Sequence, residues 1–320
     1  MKILAQKLIF GLSNRPTPSC HASTIAFHEG DFYAAWFGGT QEGANDVAIW
    51  LSKKEKDGDN WSIPEMISSS KDIPHWNPVL FPLDGKLFLY YKKGFQTTAW
   101  QTFFKAFANG AWSEERELVP GDAGGRGAEK NKPAKINSGL ILAPASLEKM
   151  PASPDEIKWR SYIDISHDGA NWQAQEFIPA DVNLIQPTIW QTSEGVHAFM
   201  RSDAGAVYRS DSTDGGFSWC KAYRTDLPNN NSGLDAVYAG GNLYLAYNPI
   251  GANWGARTPL VVSKSSDGGS TWPESVALED AEGEYSYPSI IEAGGFLHIV
   301  YTYQRKSIAY AKIGIGEQFA

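Results

Sequence analysis

The stretch SDSTDGGFSW, residues 210–219, returns as SKSSDGGSTW, residues 263–272. This repetition constrains the fold more than any bulk property of the chain. In each copy the paired glycines, Gly215 and Gly216 or Gly268 and Gly269, supply the backbone freedom of a tight turn, and Asp214 or Asp267 can fold its carboxylate back onto the turn amides. Written as S-x-D-x-G-x-T-W, the phrase runs from Ser265 to Trp272, and from Ser212 to Trp219 with Ser218 in place of Thr. SHDGANW, Ser166 to Trp172, is one residue shorter, and KDGDNW and FANGAW are weaker echoes ending at Trp61 and Trp112. Trp61, Trp112, Trp172, Trp219 and Trp272 are thus separated by 51, 60, 47 and 53 residues. A period near fifty marks a repeat architecture.

Between these turns lie short runs such as DFYAAWFGG, KLFLYYKKG, GVHAFMRS, NLYLAYNP and FLHIVYTYQ, several with the two-residue alternation of strands. Each unit then holds about four strands, the content of one propeller blade. The 31 Gly, 18 Pro and 12 Trp agree, because long helices tolerate little Gly and Pro. Five turn phrases and an unmarked closing unit predict an all-β, six-bladed propeller occupying residues 1–320 as one domain. FLHIVYTYQ and SIAYAKIGI would join the N-terminal KILAQKLIF in the last blade, so that the N-terminal strand closes the ring by pairing.

The phrase resembles the Asp-box of the sialidase (neuraminidase) superfamily, and nearly the whole chain is similar to bacterial sialidase-like proteins with BNR repeats. That resemblance implies a sialidase-like propeller in which the Asp-box is structural and lies away from the site. It also implies three arginines for a substrate carboxylate, a tyrosine nucleophile assisted by a glutamate, and an aspartate as general acid and base. Carried over by position, the tyrosine is Tyr285 in EYSYPSIIEAGGF, the aspartate is Asp46 in GTQEGANDVAIW with Glu42 as a competitor, and one arginine is Arg257. The remaining positions depart from the pattern. His21 stands in SCHASTIAF where the first arginine is expected, Val207 falls at the second with Arg201 or Arg209 as substitutes, and Gln186 replaces the assisting glutamate. A neutral amide is a poor proton acceptor, so the resemblance carries the scaffold further than the chemistry.

Other polar residues are not required by simple strands: His75 and Asn77 in PHWNPVL, Lys130 and Lys132 in EKNKPAK, Asn231 and Asp235 in NNNSGLDAVY, and Arg305 in YQRKS. With Tyr287, His21, Arg201 and Arg257 they make a substrate-binding set suited to an acidic sugar, for which Trp36, Trp76, Trp100 and Trp254 offer stacking faces. Three functions stay open at this point. One is an exo-glycosidase in which Asp46, Tyr285 and Arg257 act on a terminal acidic sugar. Another is a uronate lyase using His21, His75 or Tyr285 as base, and the third is a sugar-binding propeller without turnover.

A net charge of −8 argues against nucleic acid as partner. No run approaches the length of a membrane span. The start MKILAQKLIFGLSNRPTPS lacks a continuous apolar region and a secretory leader, from which a cytoplasmic protein is expected. Two cysteines, Cys20 and Cys220, allow at most one bridge. There is no HExxH, no CxxC pair and no calcium-hand spacing, so neither metal nor cofactor is expected.

Overall fold

A computed structural model describes residues 1–68, 72–150, 152–153 and 156–316. Among them, six antiparallel sheets form six blades of a β-propeller. Blade I holds Ser19–His28, Asp31–Gly39, Ala48–Glu55 and Glu65–Met66. Blade II holds His75–Leu83, Lys86–Lys93, Gln101–Ala108 and Arg116–Glu117, with Ala111–Trp112 beside them. Blade III runs through Ala134–Lys135, Ile141–Glu148, Trp159–Ser166 and Trp172–Phe177, and blade IV through Leu184–Gln191, Val196–Ser202, Ala206–Ser212 and Tyr223–Pro228. Blade V comprises Asp235–Ala239, Asn242–Tyr247, Leu260–Ser265 and Glu274–Glu279. Blade VI comprises Tyr285–Ala293, Phe296–Tyr303 and Ser307–Gly314, and its fourth strand is Lys2–Leu8 from the other end of the chain. The register runs from Lys2 opposite Gly314 to Leu8 opposite Ala309, which is the closure anticipated from the sequence.

The repeated phrases are the turns between the third and fourth strands. Ser212 Oγ donates to Asp214 Oδ1 at 2.8 Å and accepts from Gly216 N at 2.8 Å, while Asp214 Oδ1 accepts from Phe217 N at 3.0 Å and Ser218 N at 2.9 Å. Ser265 and Asp267 repeat these contacts in blade V, where the Thr271 hydroxyl and amide hold the Asp267 carboxyl below the usual carboxylate range. Gly216 is required twice over: its φ is +95°, and a Cβ there would lie 2.8 Å from Leu142 of blade III. Trp219 is buried between blades III and IV, whereas Trp272 at the matching place in blade V is only half-buried.

The first strand of each blade lies nearest the axis, and side chains stitch these strands to one another. Thr24 Oγ1 accepts from Leu80 N at 3.2 Å, and Ser289 Oγ accepts from Ile25 N at 3.4 Å. Asp235, fully buried, receives Thr188 Oγ1 at 2.7 Å, Ala236 N at 3.0 Å, Ile290 N at 2.9 Å and Lys132 Nζ at 2.8 and 2.9 Å. A buried carboxylate is tolerated because four donor groups, making five hydrogen bonds, replace its water. Both cysteines are free, so no bridge contributes. Among the described residues no helix is long and apolar enough to cross a membrane.

Candidate functional site

Near their starts, the inner strands of blades I, II, IV and VI are broken at matching places. Ala22, Asn77, Gln186 and Tyr287 have φ of +53°, +41°, +55° and +51°, and the ladder register shifts beside each of them. Asn231, on the loop entering blade V, has φ +58°. Left-handed non-glycine residues are uncommon and cluster where surroundings hold them for a purpose. Here the break re-aims side chains. In an unbroken strand Tyr285 and Tyr287 would share a face; with Tyr287 left-handed they part. Tyr285 is buried in the core between blades V and VI against Tyr303, with ring centroids 5.2 Å apart, while Tyr287 turns to the axis.

Tyr287 is the hub of the central cluster. Arg201 Nη1 donates to its hydroxyl at 2.6 Å and to Gln186 Oε1 at 3.0 Å, and Arg201 Nε donates to Asn231 Oδ1 at 3.1 Å. The His21 ring centroid is 4.3 Å from that of Tyr287. The Arg257 guanidinium lies 5.5 Å and Lys130 Nζ 6.0 Å from the same centroid. His21, Gln186, Lys130, Arg201, Asn231 and Tyr287 thus come together although they belong to six separate segments, and all six are buried.

Burial and cations set the protonation states. His21 is driven well below its ordinary value by burial first and then by Arg305, Arg257, Arg201 and Lys130, so the ring is neutral; its Nδ1 has no hydrogen-bond partner. Burial pushes Lys130 down to about 7, and the ammonium donates to Asn131 Oδ1 at 2.9 Å, Leu234 O at 3.1 Å and Pro288 O. Behind Gln186 sits Glu129, 2% exposed, which accepts from Gln186 Nε2 at 3.3 Å and is pushed up to about 7 by burial. Lys92, also buried, is pushed down to about 8 and donates to Thr102 Oγ1 at 2.7 Å and to the carbonyls of Gly125 and Arg126 at 2.8 Å. Perturbed groups of this kind gather at functional sites.

A more exposed rim continues outward. Arg257 Nη1 and Arg305 Nε both donate to Glu284 Oε1 at 2.8 Å, and Arg305 Nη1 also pairs with Glu42. Asp46 is exposed on the same loop as Glu42, its carboxylate accepting Thr40 N at 3.0 Å and Thr40 Oγ1 at 2.5 Å. Trp254 is 63% exposed and meets Trp159 edge-on at 6.4 Å, and Trp159 in turn faces the Arg201 guanidinium at 5.8 Å.

Several expectations need correction. Tyr285 is a core residue, and Tyr287 occupies the centre. Asp235 and Lys132 are consumed by one another and by the inter-blade stitching, which leaves neither carboxylate nor ammonium for a ligand. His75 is fully buried between blades I and II, bonded through Nδ1 to Ser68 Oγ at 2.7 Å and pushed down to about 4 by burial. Asn77 holds the left-handed position of blade II and is 4% exposed. Val207 is a core residue and Arg209 is bound to Asp211 and to the Gly268 carbonyl, so of the arginine alternatives Arg201 reaches the centre. Trp36, Trp76 and Trp100 are buried in the core, which leaves Trp254 as the exposed face of that set. Glu129, Lys92, Glu284 and Trp159 were not singled out from the sequence. Glu129 lies in the EKNKPAK stretch that supplied Lys130 and Lys132, and its adjacency to them was the available signal.

Among the described residues no group of three or more His, Cys, Asp or Glu side chains is disposed to hold a metal ion. The sequence profile of the BNR repeat-like domain matches residues 30–299. No curated protein matches the sequence. Among solved structures, a protein of unknown function from Dyadobacter fermentans superposes with a TM-score of 0.80 at 16% identity, covering 98% of this chain and 99% of that one. The NanB sialidase of Streptococcus pneumoniae, as a point mutant, gives a TM-score of 0.75 at 12% identity, covering 96% of this chain and 70% of that one. A Trypanosoma rangeli sialidase in complex with sialic acid gives 0.70 at 15% identity, covering 99% of this chain and 58% of that one. The chain therefore spans little more than half of the trypanosomal protein. At such identities the likeness is one of fold.

Proposed function

Starting from the premise that the chain belongs to the BNR repeat-like domain family, we propose that it is an exo-acting glycosidase releasing a terminal acidic sugar from a glycan. The observation that carries the reading is the placement of Arg201 and Arg257 about Tyr287, with Arg201 donating to the phenol oxygen at 2.6 Å. Two guanidiniums beside one phenol suit a substrate whose carboxylate adjoins its reacting carbon.

In this reading Arg201 and Arg257 hold the carboxylate. The Tyr287 oxygen bonds to the anomeric carbon as the bond to the leaving oxygen breaks, and Asp46 gives that oxygen its proton. Water then displaces the phenolate while Asp46 takes a proton back. Gln186 cannot receive the phenol proton, but His21 can: the ring is neutral, its Nδ1 is unpartnered, and it packs on Tyr287. Part of what depresses His21 is repulsion from Arg305, Arg257 and Arg201, and a bound carboxylate cancels that part. The substrate's own charge thereby raises the basicity of the group that must accept the proton. Trp254 supplies a stacking face for the sugar. A single propeller domain over residues 1–320, acting in the cytoplasm without metal or other cofactor, completes the reading.

A second reading is favoured by the His21–Tyr287 pair itself, because among the described residues the phenol is bonded by Arg201 and not by a carboxylate. In a uronate lyase an arginine neutralises the carboxylate, His21 or Tyr287 removes the adjacent proton, and the other protonates the leaving oxygen. Incubation of the purified protein with sialosides, ulosonic acids and uronate-bearing oligosaccharides, read by mass spectrometry and ultraviolet absorbance, separates the two. Products carrying the mass of one added water support the glycosidase; an absorbing unsaturated uronate without added water replaces it by the lyase. If Tyr287→Phe retains full turnover, both readings fail.

A further inference from the structure

Glu129 is a buried carboxylate beside the central cluster that the chemistry above does not use. It reaches Gln186 directly: its Oε1 accepts from the Gln186 side-chain amide at 3.3 Å, and the Gln186 backbone N is held separately by Ser146 Oγ at 2.7 Å. Gln186 has φ +55°, a conformation that surrounding contacts must hold. Its side-chain oxygen then faces Arg201 Nη1 at 3.0 Å, the nitrogen that also serves the Tyr287 hydroxyl.

We infer that Glu129 is a positioning residue for the Arg201–Tyr287 pair, acting through Gln186, so that the carboxylate missing from the inner strand of blade IV is supplied from the loop entering blade III. Arginine has donors only, so Gln186 must present its oxygen to Arg201 and its NH₂ the other way. An acceptor on that second side fixes the amide in this orientation, and Glu129 is that acceptor. Were it absent, only the Arg201 contact itself would oppose rotation of the amide, and rotation would aim NH₂ at a guanidinium and loosen Arg201 from the phenol. The charge of Glu129 is balanced from below by the buried Lys92 ammonium, whose own three hydrogen bonds go to Thr102 and to the Gly125 and Arg126 carbonyls.

The inference rests on the reading of Tyr287 as the reacting group, and it is tested by a measurement that needs no substrate. In protein labelled with ¹⁵N-arginine, the Arg201 Nε–H resonance, assigned by its loss in Arg201→Lys, reports whether the guanidinium is held. It should persist in Glu129→Gln, which keeps an acceptor oxygen for Gln186, and should broaden or exchange rapidly in Glu129→Ala. Glu129→Asp withdraws the carboxylate by one methylene but keeps charge near Lys92, so it guards against loss of folding; an intermediate protection is expected there. Turnover on whichever acidic saccharide the wild type cleaves should follow the same order, with kcat/KM lowered roughly 10²-fold in Glu129→Ala, the scale set by misplacing a catalytic group by about 1 Å. An Arg201 signal equally protected in the Ala and Asp variants overturns the inference. Failure to find any saccharide substrate would instead strike the functional reading and leave the resonance test intact.

Discussion

Replacing Asp235 by Asn isolates how much of the propeller's cohesion passes through one carboxylate. Asp235 is fully buried and takes hydrogen bonds from blade IV at Thr188, from blade VI at the Ile290 amide and from the Lys132 ammonium on the loop entering blade III. Asparagine keeps the shape but presents NH₂ groups to donors, and it leaves Lys132, whose side chain is 19% exposed, without its counter-ion. Breaking one partner of a buried pair costs about 3–5 kcal/mol. A stranded backbone N–H costs about 1–3 kcal/mol, but the losses overlap and are not summed. With an unfolding entropy of about 2.1 cal/mol/K per residue over 320 residues, about 3–5 kcal/mol lowers the melting temperature by about 4–7 °C. Calorimetry at pH 7 measures this directly. The reasoning also requires that substrate affinity be unchanged at temperatures where the variant is folded, since Asp235 is spent on the scaffold. A melting temperature within about 1 °C of wild type, or a selective loss of binding, refutes it.

Other substitutions sort the scaffold from the site. Trp219→Ala, which empties a buried position between blades III and IV, should cost about 3–5 kcal/mol in denaturant titration without altering kcat of the folded protein. Tyr287→Phe should lower kcat by roughly 10²- to 10⁴-fold, while Tyr285→Phe, lodged in the core, should leave kcat close to wild type. His75 and His298 are both pushed down to about 4 by burial. Between that value and the ordinary one the unfolded chain binds more protons than the folded one, so stability should fall as pH drops from about 6.5 towards 4, by at most about 1.4 kcal/mol per pH unit for each histidine. Urea midpoints across that window, with His75→Gln flattening the slope, provide the check. Turnover should survive exhaustive treatment with EDTA, and a complete loss restored by a divalent cation would contradict that.

The blades were legible in the sequence because their signals are local. Ser212, Asp214 and Gly216 close a turn with partners at most four residues away, and the alternating runs between turns need only their own neighbours. Lys2–Leu8 could be assigned to the last blade because it was a strand left without a unit. The centre was legible in part: His21, Gln186, Arg201, Arg257, Lys130 and Asn231 were all singled out. What failed depended on long-range geometry. Position in EYSYPSIIEAGGF points to Tyr285, whereas the left-handed turn that sends Tyr287 to the centre is marked in the sequence only by the proline after it. Asp235 and Lys132 read as ligand contacts because their pairing exists only once the ring has closed and the loop entering blade III meets the inner strand of blade V. Glu129 was not singled out: its neighbours Lys130 and Lys132 were the one local signal, and its burial to 2% exposure depends on distant segments.

The pairing of residues 2–8 with 308–314 has a consequence for the order of events during synthesis. A chain made from its N-terminus releases Lys2–Leu8 long before Ser307–Gly314, and that strand has no partner in its sheet until the later one has left the ribosome. Blades I to V can form as they emerge, because every strand they need lies close in sequence. Blade VI cannot: until the early strand returns, Ser307–Gly314 presents an open edge, the kind of row of unpaired amides and carbonyls that invites pairing with another chain. The final contact of the ring is therefore also its most exposed moment, and a second copy offering its own residues 2–8 would complete the same edge by strand exchange.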